Sequence, residues 1–376
     1  MALPRNKYVR QDQVGVYHCF SRCVRRAFLC GFDSVTGRDF SHRKAWIVDR
    51  LRVLAAVFAI EVCAFAILEN HYHSILRIRP DIVALWSDHE VATRWLTLFP
   101  KHRDPAGNPL PPTDEHIRAL TDSPDRIATL RLRLCSLSWF MGRLNEFIAR
   151  AANQEDRLKG RFWESRFKCQ ALLDDAAIAA AMVYVDLNPI RAGLADTPEK
   201  SDFTSIQQRI RAWKIQSLAT ASGADDTPAV TPTASLPTGL TIPESSSQIP
   251  NPVSAISSGP DNSLTTAPLV SSWLCPIQSD AQRRGILPMT EAEYFDLVDR
   301  SGRLIRSGKR GSIDADLAPI LLRIGARPDA WNDSVSRFGA TFRLAAGRIS
   351  SLRKFADQLG RRWFAGVAAA RAAFVS

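Results

Sequence analysis

Apolar residues fall in short, dense runs over the first part of the chain, and their spacing predicts its elements. Residues 14–23 read as a strand. Residues 43–59 carry Trp46, Ile47, Leu51, Leu54, Val57 and Phe58 at helical spacing. Two further strands, 60–68 and 71–79, follow as a hairpin with Glu69-Asn70 at the bend. Residues 99–125 are polar and hold Pro100, Pro105, Pro109, Pro111 and Pro112, which disfavour regular structure. A long helix is expected over about 126–152, with Leu134, Leu137, Trp139, Phe140, Leu144, Phe147 and Ile148 on its apolar face. Another runs from the acidic start at Asp175 to about Asn188, where Pro189 and then Gly193 end the pattern. Strand, helix, strand hairpin and helices in that order predict an α+β fold with helices packed on an antiparallel sheet.

The pattern stops after this block. Residues 216–270 are rich in Ser, Thr, Pro and Ala and contain no Lys, Arg or aromatic residue. Such a segment cannot bury enough apolar area to offset its ordering entropy, and a disordered linker is expected. Periodicity returns over 271–376, at Tyr294-Phe295, Leu297-Val298, 317–324, 335–344 and 349–374, which predicts a small all-helical domain. The expected organisation is therefore 1–215, a linker at 216–270, and a basic helical domain at 271–376.

Charge follows the same division. The formal net charge is +11, with 32 Lys+Arg against 24 Asp+Glu in 1–215, none against 4 in 216–270, and 17 against 10 in 271–376. Two basic blocks suit a polyanionic partner, and Arg suits phosphate through its planar fork. In the last block Arg303, Arg306, Lys309, Arg310, Arg361 and Arg362 favour a DNA-contacting module over a mere stabilising appendage. The seven cysteines are odd in number and lack zinc spacing, the first residues lack the apolar core of a signal peptide, and no run is long enough to span a membrane. These features predict buried thiols and a cytoplasmic protein.

Two motifs carry chemistry. On a strand, His71 and His73 flank Tyr72 and share a face, so two imidazoles can hold one divalent ion. Taken alone, such a pair reads better as two packed histidines or a surface coincidence. On the helix before Pro189, Tyr184 and Asn188 are four apart and share a face, offering a phenol nucleophile and an amide oxygen. Taken alone, these read as a rim tyrosine and a helix cap.

Together the motifs resemble a family. The segments Tyr17-His18-Cys19-Phe20-Ser21-Arg22, Glu69-Asn70-His71-Tyr72-His73-Ser74-Ile75-Leu76, Gly160-Arg161-Phe162-Trp163-Glu164-Ser165-Arg166-Phe167-Lys168 and Tyr184-Val185-Asp186-Leu187-Asn188-Pro189-Ile190-Arg191-Ala192-Gly193 are similar to those of single-tyrosine HUH transposases, in the branch associated with repetitive extragenic palindromes. The resemblance spans roughly residues 8–213. One departure is Glu69, where the family often has proline. The resemblance implies a ferredoxin-like antiparallel sheet with packed helices, and Mg²⁺ or Mn²⁺ held by His71, His73 and Asn188. It further implies that Tyr184 attacks a scissile phosphate to give a 5′-phosphotyrosine and a free 3′-hydroxyl, which allows rejoining without a nucleotide cofactor. Arg161, Arg166, Lys168 and Arg191 would contact phosphates, and Phe162 and Trp163 would stack on bases, while for Trp163 and Phe167 a packed aromatic turn with solvated arginines is equally compatible. Tyr17 and His18 receive no catalytic role. The implied partner is single-stranded DNA with hairpin repeats, and a homodimer is left open.

The alternatives are a replication or relaxase-type nickase, a non-catalytic DNA-binding regulator on the same fold, and a zinc hydrolase built on His-x-His. A nickase usually places its tyrosine differently and no helicase motif is present. A hydrolase would want further ligands at recognisable spacing, whereas His18, His42, His89, His102 and His116 are scattered. Since all four segments precede the linker, the chemistry is expected to be self-contained in residues 1–215.

Overall fold

The computed structural model describes residues 3–24, 29–34, 36–222, 273–306, 318–362 and 364–375. In chain order the strands and helices are β1 (Gly15–Arg22), β2 (Phe32–Asp33), β3 (Arg38–Asp39), α1 (Arg43–Val57), β4 (Ile60–Ile67), β5 (His71–Ile78), α2 (Pro80–Leu85), α3 (Asp88–Leu98), α4 (Asp114–Thr121), α5 (Pro124–Leu134) and α6 (Leu137–Glu155). They continue with β6 (Lys168–Leu172), α7 (Asp175–Asp186), α8 (Asn188–Arg191), α9 (Ser205–Ser222), α10 (Glu291–Arg306), α11 (Ala318–Arg323), α12 (Trp331–Ser336), α13 (Phe338–Thr341), β7 (Ala345–Ala346), α14 (Ile349–Gln358) and α15 (Val367–Ala373).

The main sheet has the order β4-β5-β1-β6-β7. Its first four strands pair antiparallel, and β7 adds parallel to β6. Without β7 this is the βαββαβ arrangement of a ferredoxin-like α+β fold. Both faces are covered. Tyr72 points to α6, where its hydroxyl donates to Asn145 Oδ1 at 2.7 Å. On the opposite face, His73 meets Tyr184 of α7. Double coverage explains why β4 and β5 are buried along nearly their whole length rather than at alternate positions.

Several expectations need correction. The proline-rich passage contains α4, because Pro111 and Pro112 lie ahead of a capping box in which Thr113 Oγ1 accepts from the His116 backbone N–H. Pro124 sits in the first turn of α5, where its missing N–H costs nothing. The long helix is two helices, α5 and α6, because the Leu134 carbonyl accepts from the Ala59 N–H at 2.9 Å and the chain turns at Cys135. The last helix also divides into α14 and α15, around Gly360 at φ +61° and Gly366 at φ +100°. β6 is a strand that the apolar pattern did not disclose. Helix α9 runs on to Ser222, into the segment expected as linker; residues 223–272, with the rest of that expectation, lie outside the described residues, as do Lys309, Arg310 and Trp363. All seven cysteines are buried thiols outside any disulfide, and among the described residues no helix is long and apolar enough to cross a membrane.

The C-terminal residues share the core of the first block. β7 extends the main sheet, and α10, α12 and α13 cover the side of α7 turned away from it. Arg77, buried in β5, donates to the carbonyls of Arg284 at 2.6 Å and Gly285 at 2.7 Å. Arg209 in α9 donates to the carbonyls of Cys63 and Cys275. Tyr294 of α10 donates to Asp186 Oδ2 at 2.6 Å, and Asp186 also accepts from Ser205 Oγ and the Ile206 N–H. Tyr294→Phe should therefore cost about 1–2 kcal/mol, one buried hydrogen bond to a carboxyl group. Calorimetry would read this as a melting temperature lower by about 3 °C or more. An unchanged melting temperature would mean that the ring merely fills space.

Candidate active site

Strand register brings one set of polar side chains onto one face of the sheet. Phe20 lies opposite His73 on one side and Lys168 on the other, Arg22 lies opposite His71, and His18 lies opposite Gln170. Period-2 geometry then places His18, Phe20, Arg22, His71, His73, Lys168 and Gln170 on the same face.

The histidines form a connected group. His71 Nδ1 lies 2.6 Å from Asn70 Oδ1, His73 Nδ1 lies 2.9 Å from His18 Nε2, and His18 Nδ1 lies 3.3 Å from Gln170 Oε1. His18 and His73 are buried and His71 is half-buried. Burial pushes His18 down to about 4, and burial with the Arg22 charge takes His71 to about 4. His73 falls well below the ordinary value through burial, then through His18, His71 and Arg191. All three are neutral imidazoles at neutral pH, the form that can ligate a metal.

Tyr184 reaches this face from α7. Its ring centroid lies 5.7 Å from that of His73, 5.9 Å from His18 and 5.9 Å from Phe338, and the Arg191 guanidinium sits 4.8 Å from it. A cavity of about 250 Å³ opens between them. His18, His71, His73 and Tyr184 supply its chemistry, Arg22 and Lys168 its positive charge, and Glu164, Ser165 and Gly339 other parts of its wall. A larger space of about 460 Å³, between α3 and α4, is lined by Asp88, His89, Asp114 and Arg118 and does not adjoin these groups.

Of the residues singled out in the sequence, His71, His73, Tyr184 and Lys168 line one cavity. Asn188 does not. Helix α7 ends at Asp186 and α8 begins at Asn188, because Pro189 has no N–H with which to continue the ladder. Asn188 is buried there, with its Nδ2 lacking a hydrogen-bond partner. Arg191 donates to the Ser336 carbonyl besides covering Tyr184. Arg161 and Arg166 are exposed on the loop that supplies Glu164 and Ser165, with Arg161 Nε donating to the Trp163 carbonyl at 2.8 Å. The aromatic residues of that loop pack inward. Phe162 is buried, and Trp163 spends its indole N–H on the Asn145 carbonyl while its ring meets Tyr72 and Phe162. Both rings are engaged in packing within the protein, and for Trp163 this is the packed-turn alternative.

Two imidazoles are fitted to hold a metal ion. Asn70 Oδ1 can only accept, so the proton of neutral His71 sits on Nδ1 and the lone pair on Nε2. His73 Nε2 is buried without a hydrogen-bond partner. Among the described residues no group of three or more His, Cys, Asp and Glu side chains is arranged to hold an ion, and His18 turns its Nε2 onto His73 instead. Any further ligands would come from an amide, water or a substrate phosphate.

Sequence reasoning missed His18, Gln170, Arg22 and Gly339. The alternation His18, Phe20, Arg22 was visible, but not which strands flank it. Gly339 is needed for space: a Cβ there would stand 2.7 Å from Tyr184 Oη. Gly339→Ala should displace that hydroxyl or α13 and slow its chemistry by about tenfold or more, since small misplacements at a reacting atom are costly. Single-turnover kinetics would check this, and an unchanged rate would show that α13 yields freely.

No protein-family model matches the chain, and no curated protein matches it. Among solved structures, one of a REP-associated tyrosine transposase bound to a REP hairpin is similar at a TM-score of 0.34 and 12% identity, covering 63% of this chain and 100% of that one.

Proposed function

We propose that this protein is a single-strand DNA endonuclease and strand transferase of the single-tyrosine type, acting on hairpin-bearing repeats with Mg²⁺ or Mn²⁺. The observation that carries the proposal is the convergence of Tyr184, His71 and His73, from separate segments of the sequence, on one cavity whose wall also carries Lys168 and the Arg22–Glu164 pair.

Each residue has a role its chemistry supports. Lys168 and Arg22 attract and orient a phosphodiester in the cavity, and Arg161 and Arg166 hold neighbouring phosphates along the same loop. Tyr184 gives up its phenolic proton to solvent as Oη attacks phosphorus, the bond to the 3′ oxygen breaks, and the leaving oxygen takes a proton from solvent. The product is a 5′-phosphotyrosine, which the attack of another 3′-hydroxyl reverses. His71 and His73 hold the metal through their Nε2 atoms, with Asn188 proposed as an additional amide ligand. A bound divalent ion supplies polarisation of the phosphate and stabilises charge on its oxygens.

His71→Ala and His73→Ala should each slow cleavage of single-stranded hairpin DNA by at least about a hundredfold, the scale of losing a principal electrostatic contact. EDTA should stop the wild-type protein, with Mn²⁺ restoring it. Wild-type rates in EDTA would make the histidines structural and remove the metal from the mechanism.

A further inference from the structure

We propose that Gln170, acting through His18, fixes which nitrogen of His73 carries its proton and so makes His73 Nε2 available as a ligand. This rests on the metal-dependent reading above and assigns a positioning role to His18 and Gln170, which act through His73.

The argument begins at the amide. Gln170 Oε1 lies 3.3 Å from His18 Nδ1, and an amide oxygen can only accept, so that nitrogen is protonated. A neutral imidazole has a single N–H, which leaves His18 Nε2 as an acceptor. It lies 2.9 Å from His73 Nδ1, which must therefore be the donor. The lone pair of His73 is left on Nε2, the nitrogen with no hydrogen-bond partner. Without the relay, imidazole favours the opposite tautomer, with its proton on Nε2 where it would block ligation. A reversed Gln170 amide would have the same effect, by donating to His18 and running the relay backwards.

The fold holds the relay in place. His18 and Gln170 are register partners on β1 and β6, while His73 is opposite Phe20, one same-face step along β1. The three side chains are 1%, 3% and 5% exposed for His18, Gln170 and His73. Water therefore competes little for these hydrogen bonds. Outer partners of this kind orient ligating histidines, and their loss typically weakens metal binding by roughly 10–100-fold.

The test uses full-length protein labelled with ¹⁵N at histidine. Long-range ¹H–¹⁵N spectra report each tautomer without metal, and Mn²⁺ titration followed by electron paramagnetic resonance reports affinity. Wild-type His73 should carry its proton on Nδ1. Gln170→Leu should shift His73 towards the Nε2–H form and weaken Mn²⁺ binding by about tenfold. Gln170→Glu keeps an acceptor facing His18 and should retain the wild-type tautomer and affinity within about threefold. His73 protonated on Nε2 in the wild type would overturn the proposal, as would an unaltered Leu variant or equal losses in both variants. If Gln170→Leu does not fold, the wild-type spectrum and the Glu variant decide. A wild type that binds Mn²⁺ through Nδ1-protonated His73 but forms no DNA adduct would sink the nuclease reading and leave the relay standing. Normal cleavage with Nε2-protonated His73 would do the reverse.

Discussion

Tyr184→Phe should abolish the covalent protein–DNA adduct while leaving hairpin binding within a few-fold. The substitution removes one hydroxyl and keeps the ring that packs against His73, His18 and Phe338, so the cavity wall survives. No other tyrosine can take over. Tyr8 donates to the Cys169 carbonyl, Tyr17 accepts from the Arg10 N–H, Tyr72 donates to Asn145 and Tyr294 donates to Asp186. All four are buried, and burial pushes each phenol up, Tyr17 to about 12, which makes the phenolate harder to form. Denaturing electrophoresis with labelled single-stranded hairpin DNA reads the adduct directly. An adduct of wild-type yield on the Phe variant would dismiss Tyr184 as nucleophile.

What the chain disclosed in advance divides along a physical line. Local pattern was readable: β1, α1, β4, β5 and α7 lie within two or three residues of where apolar spacing put them. The shared face of His71 and His73 needed only period 2. Register across strands was not readable, because nothing local states that β6 lies beside β1. His18 and Gln170 therefore stayed invisible as a pair until the sheet was assembled. Asn188 shows a related limit: a spacing of four puts it on the face of Tyr184 only within one continuous helix, and α7 ends at Asp186 while α8 begins at Asn188. Trp163 stood open between stacking on bases and packing in a turn, and its ring packs inward, since a half-buried indole with a carbonyl partner is more stable than one in water.

The composition of α7 already tells what must cover it. Between Asp175 and Tyr184 helix α7 has no polar residue, and nearly all its side chains are buried. A helix apolar all round must be covered on every side, and a sheet covers only one. The other cover is α10, α12 and α13, from beyond the expected linker. A chain ending at Trp213 should accordingly be insoluble or unfolded rather than an active minimal nuclease. It would expose the outer side of α7 and lose Tyr294, Leu297, Val298, Trp331 and Phe338, all fully buried. At about 1.5–3 kcal/mol for each buried side chain, that loss rivals the whole stability of a typical domain, about 5–15 kcal/mol. It would also strand Arg77 without the carbonyls of Arg284 and Gly285, and Arg209 without that of Cys275. Co-expressing residues 271–376 as a separate chain should restore soluble, DNA-cutting protein, because the contacts do not require a covalent link. Soluble, folded and active protein from residues 1–213 alone would show instead that α7 tolerates water on its outer side, and that the C-terminal residues serve DNA binding only.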